Sequence, residues 1–228
     1  MRNPGSGSAG EEKARGPSPN RCAGESQSEA IQQWLVAYWN AKHMNPLRLR
    51  AVARTVQAGG IVAYPTEAVY GLGCDPRNKL AVQRLLALKR RPMHKGLILI
   101  AADFAQLAPF LQPLSPADQA RLAATWPGPY TWLIPARTDT PRWLRGRHDT
   151  LAVRVTAHPL AAALCRACGH ALVSTSANFS GRPPARTALA VRRQLGRNID
   201  ALLAGPTGGA AKPTEIRDLR SSQLVRGA

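Results

Sequence analysis

Hydroxyl and amide side chains collect where a short apolar segment ends, in the stretch ALVSTSANFSG at residues 171–181. The apolar residues at its start predict a buried strand. Ser174, Ser176 and Asn178 alternate along the chain, so their side chains share one face if the backbone stays extended. Ser180 prolongs this polar run. So many hydrogen-bonding groups at the end of a strand indicate a ligand site, because packing does not need them.

A second polar cluster follows another predicted strand, in YPTEAVYGLGCD at residues 64–75. Thr66 offers a hydroxyl there, and Tyr70 stands beside glycines that let a ligand approach the backbone. In open α/β sheets, ligands bind beyond the carboxyl ends of strands, which favours a site at both clusters. An ordinary turn is the alternative interpretation of this segment.

Cations form the third feature. The segment LKRRPMHKG at residues 88–96 holds Lys89, Arg90, Arg91 and Lys95, a concentration of charge typical of a phosphate-binding site. A solvated basic helix end explains it equally well, because cations interact favourably with the carboxyl end of the helix dipole.

A lone arginine, Arg154, lies inside the predicted strand LAVRV, where alternation sends its valine neighbours to the opposite face. An arginine in such a strand usually has an anionic partner. Thr131 begins another strand after WPGPY. His158 is interpreted mainly as the first residue of a helix, although it could touch the same place.

The chain carries 31 Lys and Arg against 13 Asp and Glu in 228 residues, a net charge of +18 at pH 7. This excess indicates a polyanionic partner or substrate, such as phosphates, nucleotides or RNA; a compositional preference for arginine is the plainer explanation. No apolar run approaches a membrane span of about 18 residues. The first 30 residues also lack the hydrophobic region of a signal peptide. We therefore expect a soluble, cytoplasmic protein.

Several common catalytic motifs are missing. The segment GPTGGAAKPTE does not match a Walker P-loop, because Pro213 follows its lysine. No GxGxxG follows a predicted strand, and STSANFSG lacks the GxSxG elbow of hydrolases. The nine acidic residues from Met44 onward form no tight pair, which disfavours two-carboxylate hydrolysis. Cys165 and Cys168 lie in an apolar helical pattern, which favours core packing over metal binding or redox work.

Composition divides the chain near Met44. Residues 1–28 are rich in Gly, Pro and Ser and predict disorder, and a short helix is predicted around Trp34. We expect residues 1–43 to be a disordered or dispensable extension, with Met44 as an alternative start. Residues 44–228 are expected to form one domain.

Helices and strands alternate in that domain. Asn78, Asp103 and Ser115 are the expected first residues of three helices, and another helix is predicted from Pro159 to about Cys168. The segments IVAY, GLILIA, YTWLIPA, LAVRV and ALVST read as strands. This order predicts an α/β fold with a mixed sheet.

Six motifs occur in the order that characterises the threonylcarbamoyl-AMP synthase family, of the YrdC type. They are YPTEAVYGLGCDP, LKRRP with KGLILIA, WPGPYTWLIPA, TPRWLRGRHDTLAVRVTAHPL, LVSTSANFSGRPP and KPTEIRDL. The chain resembles this family from Met44 to Ala228, and its short bacterial branch in particular. The resemblance implies a YrdC-like twisted sheet with flanking helices and a positively charged concave cleft.

The resemblance also implies an activity. The family joins L-threonine, bicarbonate and ATP into threonylcarbamoyl-AMP and releases pyrophosphate. Mg²⁺ would bridge oxygens of ATP, with no ligand from protein side chains. A partner transferase complex would receive the intermediate and modify adenosine 37 of tRNA, and direct tRNA binding is a further expectation.

Site residues follow from the matched motifs. The family's tetrad, expected to be catalytic, falls on Lys89, Arg91, Ser176 and Asn178. The positions expected near threonine and bicarbonate are Thr66, Tyr70, Lys95 and Thr214. Those expected near ATP are Thr131, Arg154, Ser174 and Ser180. Glu215 stands where the family often has a hydroxyl, which puts the threonine-side contact of that strand in question.

Two other functions stay open. A non-catalytic basic protein would hold double-stranded RNA or tRNA by its phosphates, with steep salt dependence. A carbamoyl-transfer module is the third, because related domains occur in larger carbamoyl-handling enzymes. The sequence favours the enzyme, since a phosphate-tracking surface does not need Thr66, Ser176 and Asn178 at strand ends.

Overall fold

The computed structural model describes Met1, residues 45–211 and residues 214–226. The disorder and the short helix predicted for the amino-terminal extension lie outside the described residues, as does Cys22. Within the described residues, no helix combines the length and the apolar character that crossing a membrane requires.

Side chains cap most of the α-helices among the described residues. These helices are α1 (Pro46–Gln57), α2 (Lys79–Leu88), α3 (Pro116–Ala123), α4 (Arg142–Arg145), α5 (Pro159–Cys168) and α6 (Ala188–Leu195). The side chains of Asn78 and Ser115 accept hydrogen bonds from backbone N–H groups three residues later, as the sequence predicts. His158 caps α5 in the same way, which confirms its interpretation as a helix-start residue.

The segment DFAQLAPFL forms two 3-10 turns, Phe104–Gln106 and Ala108–Phe110, where the sequence predicts a short helix. Asp103 does begin the first turn, since its side chain accepts a hydrogen bond from the backbone N–H of Gln106. An α-helix cannot continue through this segment, because Pro109 has no N–H and its ring clashes with the preceding turn.

The described strands form one mixed sheet. They are β1 (Val62–Pro65), β2 (Tyr70–Gly73), β3 (Ile98–Ala101), β4 (Tyr130–Pro135), β5 (Thr150–Val155), β6 (Leu172–Ser176), β7 (Ala201–Leu202), β8 (Glu215–Asp218) and β9 (Leu224–Arg226). Their order across the sheet is β7-β1-β2-β6-β3-β5-β4-β8-β9. The pairs β1–β7, β3–β5 and β4–β8 are parallel, and the other neighbours are antiparallel. This confirms the predicted α/β class with a mixed sheet.

The sequence does not predict β2, because glycines lower the strand propensity of its YGLG segment. In the structure, a Cβ atom on Gly73 would lie 2.4 Å from the carbonyl oxygen of Val173 and 2.9 Å from the ring of Tyr64. The glycine therefore permits β2 to approach β6 and the tyrosine closely. The β1–β2 hairpin leaves Thr66 at the end of β1.

Alternation along the strands gives the sheet two different faces. One face packs with α2 and α3 around the larger core, through Ala63, Leu99, Val153 and Val173. The other face packs against α1 and α5 through Val62, Tyr64, Ile100 and Leu172. Those two helices cover only part of their face, and the remainder forms the floor of a cavity.

The described cysteines are buried thiols. Cys74, Cys165 and Cys168 are all free, and burial raises the pKa of both Cys74 and Cys168 to about 12. Cys165 and Cys168 belong to α5 and pack in the core between that helix and the sheet, which confirms core packing for this pair. In the part of the chain that the structure describes, no group of three His, Cys, Asp or Glu side chains is placed to bind a metal ion.

Candidate functional site

A cavity of about 460 Å³ opens over the part of the sheet that α1 and α5 leave uncovered. Its floor consists of side chains that are neighbours across four strands. Leu133 on β4 pairs with Ala152 on β5, Ala152 pairs with Ile98 on β3, and Ile98 pairs with Ser174 on β6. One row of cross-strand neighbours therefore brings distant parts of the sequence to a single site.

Most of the predicted site residues line this cavity. They are Thr66, Tyr70, Arg91, Lys95, Arg154, Ser174, Ser176 and Thr214. The remaining predicted residues, Lys89, Asn178, Thr131 and Ser180, are not among the lining residues. Ser180 is exposed outside it, and Thr131 is fully buried, with its hydroxyl oxygen 3.4 Å from that of Thr214. Asn178 does not line the cavity because β6 ends at Ser176. Beyond that residue the backbone is no longer an extended strand, so side chains two residues apart no longer share a face.

Lys89 holds the end of β6 in place. Its ammonium group donates hydrogen bonds to the carbonyl oxygens of Ser176 and Asn178 at 2.7 and 2.6 Å, and to the side-chain oxygen of Asn178 at 2.6 Å. Burial and the nearby charge of Arg91 lower the pKa of Lys89 to about 8. The lysine therefore fixes the backbone that presents the Ser176 side chain to the cavity.

Arg91 has a fixed orientation. Its Nε and Nη2 atoms donate hydrogen bonds to the carbonyl oxygen of Gly96 at 3.1 and 2.9 Å. A carbonyl oxygen carries no net charge, so this contact orients the guanidinium without neutralising it. Lys95 lines the same cavity from the 3-10 turn Met93–Lys95.

Arg154 has a buried anionic partner, Glu67, as its position inside a strand predicts. Its Nη2 atom lies 3.5 Å from Oε2 of Glu67. The other carboxylate oxygen of Glu67 accepts hydrogen bonds from the Thr156 hydroxyl at 2.6 Å and from the backbone N–H of Ala157 at 3.2 Å. Burial opposes the ionisation of Glu67, but Arg154 and Thr156 outweigh it and lower the pKa of Glu67 below its usual value.

Thr66 and Tyr70 stand at the two ends of the β1–β2 turn. The Thr66 hydroxyl donates a hydrogen bond to the carbonyl oxygen of Val69 at 2.7 Å. The Tyr70 hydroxyl bonds to both the N–H and the carbonyl oxygen of Gly205, and burial raises its pKa. Tyr70 therefore ties the hairpin to the segment around Gly205 in addition to lining the cavity.

Arg145 and His148, which were not predicted from the sequence, also line the cavity. They lie in the segment RWLRGRH, between β4 and β5. The available signal was the density of cations just before a strand, the same kind of signal that drew attention to LKRRPMHKG. Apolar residues complete the lining, among them Val69, Leu144, Leu151, Ile216 and Val225.

Glu215, the departure from the family pattern, is not among the lining residues. Its carboxylate accepts hydrogen bonds from Nη2 and Nε of Arg217 at 2.7 and 3.0 Å. Thr214 and Ile216, on either side of it, do line the cavity. Alternation along β8 therefore directs Glu215 away from the cavity, whereas Thr214 remains among the lining residues.

The arrangement fits an anionic organic ligand. The lining contains cationic side chains, hydroxyls and an apolar wall, and among the residues that the structure describes it includes no Asp or Glu. Cations and hydroxyls recognise phosphate and carboxylate groups, and an apolar wall with a few placed polar groups is typical of small-molecule sites.

Known proteins match this chain over most of its length. A family model described as "Sua5_yciO_yrdC: Telomere recombination" matches residues 54–228. Curated proteins named threonylcarbamoyl-AMP synthase from Nitrosococcus oceani and Halorhodospira halophila are each 62% identical to it, over 179 and 182 residues. These alignments cover 78% and 79% of this chain and 97% and 95% of those proteins.

Solved structures share the fold. P. abyssi Sua5 complexed with L-threonine has a TM-score of 0.73 at 32% identity and covers 78% of this chain, which spans 53% of that protein. E. coli YciO has a TM-score of 0.69 at 26% identity, with 78% of this chain and 87% of that one covered. The family model and the identity of the curated relatives agree, and the chain belongs to the Sua5/YciO/YrdC family.

Proposed function

We propose that this protein synthesises L-threonylcarbamoyladenylate from L-threonine, bicarbonate and ATP, with release of pyrophosphate. The observation that carries the proposal is the cavity, where cationic and hydroxyl side chains from separate strands and loops meet over one sheet face. Bicarbonate, the threonine carboxylate and the triphosphate are anions that such side chains bind. Relatives at 62% identity bear the name threonylcarbamoyl-AMP synthase, and P. abyssi Sua5 has been crystallised with L-threonine.

The chemistry needs positioning more than covalent catalysis. The amine of threonine attacks the carbon of bicarbonate, water leaves, and the resulting carbamate attacks the α-phosphate of ATP, which expels pyrophosphate. Arg91 and Arg154 align these anions and neutralise charge that develops on the phosphoryl oxygens. No covalent intermediate with the protein is required.

Hydroxyl groups would complete the contacts to the substrates. Thr66, Ser174 and Ser176 line the cavity, and each hydroxyl oxygen can accept hydrogen bonds there. Lys89 and Asn178 act one step away, because Lys89 donates to the carbonyl oxygen of Ser176 and the side-chain oxygen of Asn178 accepts a hydrogen bond from the Ser176 hydroxyl. We therefore assign the tetrad two kinds of role: contact for Arg91 and Ser176, and support for Lys89 and Asn178.

ATP is expected to bring Mg²⁺ to the site. Glu67, next to the lining residue Thr66, is already engaged by Thr156 and lies beside Arg154, and the described residues contain no cluster of metal ligands. This donor set fits an ion held through ATP oxygens and water rather than through protein side chains. When bound, the ion would offset phosphate charge.

The product would then pass to a tRNA-modifying transferase complex, which places the threonylcarbamoyl group on adenosine 37 of tRNA. We expect this to happen in the cytoplasm. The net charge of +18 also favours direct contact with tRNA phosphates.

Pyrophosphate release tests the proposal. The purified protein is incubated with ATP, Mg²⁺ and bicarbonate, with L-threonine, with L-serine or with no amino acid. We expect release that depends on both threonine and bicarbonate. Absence of threonine-dependent release, combined with salt-sensitive binding of tRNA, would instead support the non-catalytic RNA-binding role. That role does not explain why hydroxyl side chains line the cavity.

A further inference from the structure

We propose that Arg145 and His148 form, together with Arg91, the subsite for the β- and γ-phosphates of ATP and for the pyrophosphate that leaves. The inference rests on the proposed function. Both residues line the cavity, and neither belongs to the site predicted from the sequence.

The guanidinium of Arg145 is oriented by its own loop. Its Nε atom donates a hydrogen bond to the carbonyl oxygen of Thr140 at 3.0 Å, and its Nη1 atom donates one to the carbonyl oxygen of His148 at 2.8 Å. Arg91 is held by a backbone carbonyl in the same manner. Both side chains are thus set in place before a ligand arrives, which suits the planar, multidentate binding of phosphate oxygens.

The loop of Arg145 is packed onto the segment that holds Arg91. The backbone N–H of Leu97 donates to the carbonyl oxygen of Leu144 at 2.8 Å. A Cβ atom on Gly96 would lie 3.0 Å from the carbonyl oxygen of Arg145. Because the carbonyl of Gly96 also binds Arg91, the two arginines are anchored on either side of one glycine.

A second glycine keeps these segments together. Gly146 has φ +67°, and a Cβ atom there would lie 2.3 Å from the carbonyl oxygen of His94. The neighbouring backbone N–H of Arg147 donates to that same oxygen at 3.2 Å. The contact is therefore built into the backbone and does not depend on long side chains.

Charge distinguishes this subsite from the region of Arg154. Arg154 is partly neutralised by Glu67 at 3.5 Å, whereas no ion pair of the described residues includes Arg145. Asp149, which follows His148, pairs with Arg220 at 2.8 Å. The most highly charged part of the substrate is the β,γ-phosphate end, and the charge of Arg145, which no described carboxylate offsets, favours its binding there.

Calorimetric titrations of the full chain with pyrophosphate, ATP and AMP test the assignment. We expect Arg145→Ala to weaken pyrophosphate and ATP binding about tenfold, the effect of one charged hydrogen-bonding group, and to change AMP binding less than about twofold. Arg142→Ala is the matched control: it removes an exposed arginine from the same helix, and this residue does not line the cavity.

His148→Ala is a second variant that leaves the loop structure intact. It removes the imidazole but keeps the backbone carbonyl oxygen of residue 148, which accepts the hydrogen bond from Arg145. We expect this variant to bind pyrophosphate about threefold more weakly, the effect of one ordinary hydrogen bond. Unchanged pyrophosphate affinity in both variants, or equal losses for AMP and ATP, overturns the subsite. Threonine-dependent pyrophosphate release by the unsubstituted chain separately decides the proposed function.

Discussion

The guanidinium of Arg154 and the carboxylate of Glu67 lie 3.5 Å apart inside the protein, with 7% and 11% of their side chains exposed. Glu67 follows β1 and Arg154 belongs to β5, strands that are not neighbours in the sheet. Across the parallel pair β3–β5, Arg154 lies opposite Ile100. Ile100 packs under α1 and α5. The ion pair therefore fixes Arg154 at the border between the core and the cavity.

Glu67→Gln should lower the free energy of unfolding by about 3–5 kcal/mol, because it leaves a buried guanidinium without its counter-charge. Urea denaturation at pH 7 measures this loss. Asp149→Asn serves as the control, since it breaks an exposed pair with Arg220 and should have little effect. Equal effects of the two substitutions would contradict a stabilising buried pair.

The cost of Glu67→Gln should depend on pH. The folded state lowers the pKa of Glu67, so its ionised form stabilises the protein above the unfolded pKa of about 4.3, and this contribution is lost as the pH falls through the folded value. The difference in unfolding free energy between Glu67→Gln and the unsubstituted protein should therefore narrow below about pH 4. A difference that stays constant down to about pH 3 would argue against ionised Glu67.

Lys89→Met should destabilise the protein at pH 7 by about 1–3 kcal/mol, because three buried oxygens lose their donor. Lys79→Met, which removes an exposed lysine, is the control and should cost little. The pKa of Lys89 is lowered to about 8, so the unfolded chain binds more protons than the folded one between that value and about 10.4.

The contribution of Lys89 to the free energy of unfolding should consequently rise between about pH 8 and about pH 10.4. Chemical denaturation at pH 7 and pH 10 measures the advantage of the unsubstituted protein over Lys89→Met, and we expect the larger advantage at pH 10. A smaller advantage at pH 10 would show that the ammonium form is the one the folded protein prefers.

Arg91→Lys should reduce kcat/KM about 100-fold while leaving stability nearly unchanged, since a lysine cannot make the two-point contact with Gly96 or present a planar group to the substrates. Steady-state pyrophosphate release measures kcat/KM of the variant. The same exchange at the exposed neighbour, Arg90→Lys, should leave kcat/KM within about twofold. Full activity of Arg91→Lys would remove this arginine from the site.

Gly146→Ala should cost about 2 kcal/mol more than Gly169→Ala. Both glycines have positive φ, which strains any other residue by about 1–2 kcal/mol, but only at Gly146 would the new Cβ meet a backbone oxygen, at 2.3 Å. Thermal and urea unfolding compare the two variants. Pyrophosphate affinity should fall in Gly146→Ala alone, and equal behaviour of the variants would mean that the loop tolerates displacement.

Local signals in the sequence sufficed for most of the elements. Apolar runs located the larger strands, and Asn78 and Ser115 marked helix starts because a capping side chain needs only its own next few residues. The short helix predicted from Asp103 is present as two 3-10 turns and not as an α-helix, since Pro109 interrupts the segment. Strand β2 was not predicted, because its glycines look unfavourable for a strand when the sequence is considered alone. The reason for glycine there is the close contact with Val173, a residue far along the chain.

By itself, the sequence determined the residue types that a site for anions requires and the strand ends at which they collect, because both follow from composition and alternation. Tertiary structure decided which of them face the cavity. Lys89 turned out to bind the backbone of Ser176, Glu215 faced Arg217, and Arg145 entered the lining. These outcomes depend on strand register and on the packing of one loop against another, which link residues distant in sequence and leave no local pattern.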